Sequence, residues 1–118
     1  MYKFYPVNLI PNERKCLVVG GGNVALRKTT KLLEAGFKIR LIAPYIHKSI
    51  EEMELSGKLK ILRRKFKFSD INQNFFLVFA ATNDNAVNQA VLSECRDKNI
   101  LCCAVDNNWE SGDFIIPA

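Results

Sequence analysis

The sequence predicts an α/β domain: a doubly wound, mostly parallel sheet with helices on both faces. Three observations carry this. Short apolar runs alternate with stretches of helical periodicity along the chain, and strands separated by helices form parallel sheets, because right-handed crossovers need the intervening helix. Residues 75–81 are continuously apolar, as in a strand buried on both faces. A glycine cluster, Gly20-Gly21-Gly22, stands where the first apolar run gives way to the first helical stretch. At 118 residues the chain has the length of one domain, so residues 1–118 are expected to form a single unit.

Residues 15–19 (KCLVV) are the first strand. Residues 23–34 follow as a helix, with Ala25, Thr29, Leu32 and Leu33 at helical spacing and Gly36 as the stop. Residues 38–43 are rich in β-formers and end at Pro44. Residues 49–55 are helical, opened by the capping-box pattern Ser49-x-x-Glu52 and broken at Gly57. A strand is expected over residues 60–63, then an irregular basic segment, then the buried strand at 75–81. The helix over 84–97 turns Ala86, Val87, Ala90, Val91 and Leu92 inward, behind the capping residues Thr82, Asn83 and Asp84. Residues 100–105 form a further buried strand, and Phe114-Ile115-Ile116 a last one before Pro117. The expected strand order is 3-2-1-4-5, with room for a sixth. Ligands of such sheets bind at the carboxyl ends of the strands, where the order reverses. The loops after Val19, Ala43, Ala81 and Val105 are therefore the ones that matter.

Composition narrows the function classes. Apolar residues make up 48% and charged residues 25%, near the soluble average, which argues against disorder and fibrous repeats. The uncharged stretch of residues 71–82 includes Asn72, Gln73 and Asn74 and falls well short of the roughly 20 residues a bilayer requires. No apolar signal segment follows Lys3. A cytoplasmic protein without a membrane partner is expected. The net charge of +5 reflects either solubility or an anionic partner. The four cysteines, Cys16, Cys95, Cys102 and Cys103, contain no C-x-x-C pair. Adjacent Cys102 and Cys103 point to opposite faces of a strand. Free, buried thiols in a reducing compartment are expected, and no metal site.

The first loop, Gly20-Gly21-Gly22-Asn23-Val24-Ala25, fits G-x-G-x-x-A between a strand and a helix. Gly20 permits the turn, Gly22 lets a pyrophosphate approach the backbone, and Ala25 keeps the helix close to the sheet, so a dinucleotide would sit on free N–H groups at the positive helix end. This is the Rossmann-like arrangement; the alternative is a glycine-rich turn with no ligand. The acid that usually holds the adenosine ribose is missing from Leu41-Ile42-Ala43-Pro44-Tyr45. Backbone groups around Ala43 and Pro44 are left to hold the ribose, and Arg40 stands as a candidate for a 2′-phosphate, so NAD and NADP both stay open.

Thr82, Asn83 and Asp84 cluster beside the expected nicotinamide ribose, either as ligand contacts or as helix caps. Asp106 follows the fifth strand, where a carboxylate either takes and gives a proton or simply turns the chain before Asn107 and Asn108. His47 reads as a solvated surface residue rather than an acid–base group. The basic run Lys58, Lys60, Arg63, Arg64, Lys65 and Lys67, interleaved with Phe66 and Phe68, is either a solvated face or a single-strand nucleic-acid surface. No nucleic-acid-binding signature accompanies it, and no nucleic-acid partner is expected.

Read together, these segments resemble precorrin-2 dehydrogenase, the NAD-dependent N-terminal part of siroheme synthase. The likeness rests on residues 17–25 with Arg27-Lys28, residues 32–36, Ile42-Ala43-Pro44, residues 79–84 with Val87-Asn88, and Val105-Asp106 with residues 114–118. It implies oxidation of precorrin-2 to sirohydrochlorin by NAD and, in some members, insertion of ferrous iron at the same site. By the resemblance, Gly20, Gly21, Gly22, Asn23 and Val24 hold the dinucleotide phosphates. Ala43, Pro44 and Tyr45 hold the adenosine end, Thr82 and Asn83 line the nicotinamide side, and Asp106 is the catalytic aspartate. The substrate is a tetrapyrrole polycarboxylate, which supplies an anionic partner for the basic chain. Family members carry Asn-x-x-Asp at the fifth strand end, where this chain has Cys103-Ala104-Val105-Asp106. They continue past the position of Ala118 into a helical region for dimerisation and substrate binding, so the resemblance implies a homodimer in the full-length form. The rival reading is a regulatory, nucleotide-sensing Rossmann domain without catalysis. Such domains share the first loop but carry an acid after the second strand, which this chain lacks.

Overall fold

The computed structural model describes residues 3–105 and 109–117. Its elements are β1 (Lys15–Val19), α1 (Asn23–Ala35), β2 (Lys38–Ile42), α2 (Lys48–Met53), β3 (Leu59–Leu62), β4 (Leu77–Ala80), α3 (Asn85–Asp97) and β5 (Leu101–Ala104). The strands form one sheet in the order β3-β2-β1-β4-β5, all parallel, as expected. Val19 lies beside Ile42 on one side and Ala80 on the other, and Ala80 lies beside Ala104. The carboxyl ends of these four strands therefore finish level, and their loops emerge along one edge.

Side-chain alternation splits the core into two layers. Cys16, Val18, Ile39, Leu41 and Phe79 face α1 and α2, against Ala25, Leu32 and Ile50. Leu17, Val19, Ile42, Val78 and Cys102 face α3, against Val91, Leu92 and Cys95. Helices thus cover both faces. Every residue of β4 and the last four of β1 are buried, which is why these segments read as unbroken apolar runs. Burying each large aliphatic side chain stabilises the fold by roughly 1.5–3 kcal/mol, so the two central strands carry much of the core.

α1 stops at Gly36, whose φ of +108° is a left-handed conformation that glycine adopts without steric cost. On its inner face Thr29 is fully buried, and among the described residues its hydroxyl has no hydrogen-bond partner. α2 starts one residue earlier than expected. Its cap is His47, whose Nδ1 accepts the Ser49 N–H at 3.0 Å, and not the Ser49 hydroxyl.

Further expectations are corrected. Residues 114–117 form no strand. Asp113 pairs with β5: its N–H donates to the Cys102 carbonyl at 2.7 Å, and its Oδ2 accepts the Cys102 N–H at 2.8 Å. Phe114 then turns inward, edge-on to Phe79 at 5.5 Å. In α3, Ala86 is exposed while Asn88 takes a buried place beside Val91, Leu92 and Cys95. Within the basic run, Arg63 pairs with Glu54 at 3.1 Å, and Arg64 grips Asp70 through two bonds of 2.7 and 2.9 Å. Arg63 thus ties the end of β3 back to the turn after α2, and Arg64 braces the β3–β4 crossover. Among the described residues no helix is long and apolar enough to cross a membrane.

Candidate dinucleotide-binding site

The three glycines after β1 are required for three different reasons. Gly20 has φ +137°, and a Cβ there would run into the carbonyl oxygen of Ala81, with the carbonyl carbon only 2.6 Å away. Its N–H donates to Ile42 at 3.0 Å. Gly21 lies under the loop after β2: a Cβ would strike the Tyr45 carbonyl oxygen and stand 3.0 Å from the Ala43 methyl. Its carbonyl accepts the His47 N–H at 2.7 Å. Gly22 is the reverse case, since a Cβ there would meet nothing within 4 Å. The first two glycines allow the chain to pack on itself. The third leaves space in front of α1.

That space suits an anion. Gly22 caps α1 without a side-chain hydrogen bond, and no acidic residue stands in the first turn. The N–H groups of Asn23, Val24 and Ala25 belong to the first turn, where no intrahelical carbonyl serves them. The helix end carries about half a positive charge. Open space at Gly22, bounded by these donors, fits the pyrophosphate of a dinucleotide.

The loop after β2 borders the same edge. Ala43 is buried and Tyr45 is 86% exposed, so the Tyr45 ring is available to a ligand while its carbonyl lies against Gly21. Arg40 is half-buried within β2, two residues before its end, on the face that Ile42 turns toward α3. It stands in the strand and not in the loop where a ribose would lie. His47, expected to be solvated, is half-buried and tied by its backbone N–H to Gly21 and by its ring to Ser49. It links the glycine turn to α2.

The loop after β4, where the nicotinamide is expected, is held by a residue that composition and spacing do not single out. Asn88 is fully buried. Its Oδ1 accepts from the Thr82 N–H at 3.2 Å and from the Thr82 hydroxyl at 2.7 Å, and its Nδ2 donates to the Thr82 carbonyl at 3.0 Å. Thr82 is half-buried and Asn83 exposed. Asp84 is a helix cap, Oδ1 accepting from the Ala86 and Val87 N–H groups. Asp106 lies outside the described residues. Val105, just before it, donates its N–H to Ala80 at 3.2 Å, which keeps the exit of β5 on the carboxyl edge.

All four cysteines are free and buried. Burial pushes the Cys16 thiol up to about 12. Contact with Cys95, followed by burial, pushes Cys102 up as well. Burial also raises Cys103, against the opposing charge of Lys28. These groups stay protonated at neutral pH, which suits packing and not nucleophilic chemistry.

Comparison with known proteins agrees with this geometry. A protein-family model with the description "Putative NAD(P)-binding" matches residues 7–118. The siroheme synthase of Nitrosococcus oceani is 34% identical over 116 residues, 98% of this chain and 24% of that one. The precorrin-2 dehydrogenase of Priestia megaterium is 36% identical over 114 residues, 97% of this chain and 55% of that one. Among solved structures, SirC, a precorrin-2 dehydrogenase, superposes with a TM-score of 0.83 at 34% identity, covering 98% of this chain and 55% of that one. The chain thus spans 24% and 55% of the length of these two curated relatives. The resemblance read from the glycine loop and the strand ends holds over nearly the whole chain, and the chain belongs to this NAD(P)-binding family.

Proposed function

We propose that this chain is the dinucleotide-binding part of an NAD-dependent precorrin-2 dehydrogenase, acting in siroheme biosynthesis. The observation that carries the reading is the open space at Gly22, which faces the uncapped N-terminus of α1 in a chain related to enzymes of this name. In this reading residues 1–118 are one cofactor-binding domain, and the rest of the relatives' length supplies dimerisation and substrate contacts.

The residues divide the work. Gly20 and Gly21 shape the turn, while Gly22, Asn23 and Val24 present backbone to the pyrophosphate. Ala43, Pro44 and Tyr45 border the adenosine end. Thr82 and Asn83 border the nicotinamide, which when bound takes the hydride that precorrin-2 loses. A proton leaves the substrate as well, and Asp106 receives it. NAD is favoured over NADP, because Arg40 stands inside β2 and away from the ribose. Cytoplasmic location, a homodimer and ferrous iron as a second substrate belong to the same reading, and rest on the resemblance alone.

The test has two arms. Calorimetry on the 118-residue chain should show NAD binding, with NADP weaker. Turnover of precorrin-2, followed by NADH absorbance, should appear when the chain is fused to the remaining half of the P. megaterium relative. In that fusion Asp106→Ala should lower the rate roughly 10²- to 10⁴-fold, the usual worth of acid–base help, with little change in NAD affinity. NAD binding without turnover in the fusion would favour the nucleotide-sensing alternative. Absence of NAD binding would overturn both.

A further inference from the structure

An open sheet has two outer strands. Among the described residues β3 and β5 each have a strand neighbour on one side only. The outward N–H and C=O groups of such a strand are a template on which another strand can pair. The hazard is greatest at β5. Residues 100–105 (ILCCAV) are apolar and uncharged, the composition of a segment that stacks with its own copies, and Leu101 is 48% exposed. In β3 the apolar Leu59, Ile61 and Leu62 surround a single charge, Lys60.

Each edge is met by a carboxylate from elsewhere in the chain. Lys58 and Leu62 turn their carbonyls to the N–H groups of Ile39 and Ala43, so alternation points the groups of Leu59 and Ile61 outward. The Ile61 N–H donates to Glu54 Oε2 at 3.2 Å, while Glu54 Oε1 accepts from the Arg63 guanidinium at 3.1 Å. Glu54 belongs to the turn after α2, so that turn supplies the acceptor. In β5, Val105 gives its N–H to Ala80 of β4, and Cys102 accordingly faces out. Asp113 takes both of its groups: Oδ2 accepts the N–H at 2.8 Å, and its own N–H donates to the carbonyl at 2.7 Å. Asp113 is held there from both sides. The Arg96 guanidinium donates to the Ser111 carbonyl at 2.9 Å, and Phe114 packs edge-on to Phe79. Two unrelated segments thus place a carboxylate oxygen on an outward N–H, one at each edge.

We infer that Glu54 and Asp113 are edge stoppers, which keep β3 and β5 from pairing with the same strand of a second copy of this chain. Without Glu54, two copies of β3 can meet antiparallel about a two-fold axis. In the register centred on Lys60 its ammonium then opposes its counterpart, a like-charge pair that weakens the pairing. One freed edge gives an isologous contact that closes at two copies. Two freed edges on each copy give open-ended growth. The inference concerns the sheet edges and stands apart from the proposed function.

The test is the mass of the 118-residue chain in reductant, followed by light scattering over a concentration series. Wild type should be monomeric. Glu54→Ala and Asp113→Ala should each form dimers whose fraction rises with concentration, and the double variant should form larger species. Glu54→Gln and Asp113→Asn keep an acceptor oxygen at the same reach and should stay monomeric. Arg63→Ala removes the ion pair but leaves Oε2 its backbone partner, and it should stay monomeric as well. Adding Lys60→Val to Glu54→Ala should tighten the dimer severalfold. Circular dichroism reports whether each variant is folded. If both alanine variants unfold, amide exchange in wild type decides: the Ile61 and Cys102 N–H groups should exchange at least about tenfold more slowly than unprotected amides. A wild-type dimer, folded alanine variants no more associated than wild type, association of Arg63→Ala as strong as that of Glu54→Ala, or unprotected Ile61 and Cys102 amides would each overturn the assignment.

Discussion

Removing the Asn88 side chain should loosen the loop after β4 more than any surface change nearby. Asn88 is fully buried and makes three hydrogen bonds to one residue, Thr82, at 2.7, 3.0 and 3.2 Å. Each such bond contributes roughly 0.5–1.5 kcal/mol net. Thr82 is only half-buried, so water can replace part of what its backbone loses. Asn88→Ala should therefore destabilise the chain by about 2–4 kcal/mol, read as a lowered urea midpoint at unchanged slope. Asn88→Asp separates hydrogen bonding from volume. The new carboxylate keeps both acceptor roles but loses the donor to the Thr82 carbonyl, and it buries a charge. Burial raises the folded-state pKa of such a group above its unfolded value. Relative stability is then greatest at low pH, where the protonated acid again donates, and it is lost as pH rises through the folded value. An Asn88→Ala loss below about 0.5 kcal/mol, or an Asn88→Asp stability independent of pH, would refute the clamp.

Gly20 and Gly22 should separate folding from binding: Gly22→Val abolishes NAD binding by calorimetry while circular dichroism and the urea midpoint hold, whereas Gly20→Ala, which drives a Cβ into Ala81 at positive φ, lowers the midpoint itself. Thr29→Val should be neutral or stabilise by up to about 1 kcal/mol, because the buried hydroxyl has no partner to lose among the described residues; a clear loss in thermal unfolding would mean the hydroxyl is bonded. Burial pushes the Asp70 carboxyl up, but its bonds to Arg64 and the Lys67 N–H outweigh this and hold it below the ordinary range. Its contribution is therefore present above the unfolded value near pH 4 and is lost as pH falls through the folded one. The urea-midpoint gap between wild type and Asp70→Asn should accordingly shrink below about pH 4.

Much of the fold was legible because β1 and β4 are buried on both faces, and such strands leave uninterrupted apolar runs. The glycine loop was legible because only glycine tolerates what Gly20 and Gly21 meet there. Errors arose where a polar atom decides the structure. Ser49 has the right spacing for a capping box, but the His47 ring reaches the Ser49 N–H first. Phe114-Ile115-Ile116 has the composition of a strand, yet it is Asp113 before them that pairs with β5, and Phe114 leaves the sheet plane to reach Phe79. Ala86 was placed inward because the inner stripe of α3 contains a polar residue. Positions 88, 91, 92 and 95 follow the i, i+3, i+4, i+7 pattern, and a reading that admitted Asn88 to that stripe would have found both the true face and the loop clamp.

The three loops at the carboxyl edge are bound to one another by contacts that need no ligand. Gly20 packs on Ala81, Gly21 packs under Tyr45 and accepts from His47, and Thr82 is pinned by Asn88. Ordering a backbone residue costs roughly 1–2 kcal/mol, and for these loops that cost is met on folding and not on binding. In the proposed function, a dinucleotide arriving at Gly22 would meet donors already in place, and its binding energy would go to affinity instead of to loop closure. The same packing explains why a Cβ is tolerated sterically at Gly22 and nowhere else in the turn: Gly22 is the one glycine of the three that faces open space, the space the proposed function gives to the pyrophosphate.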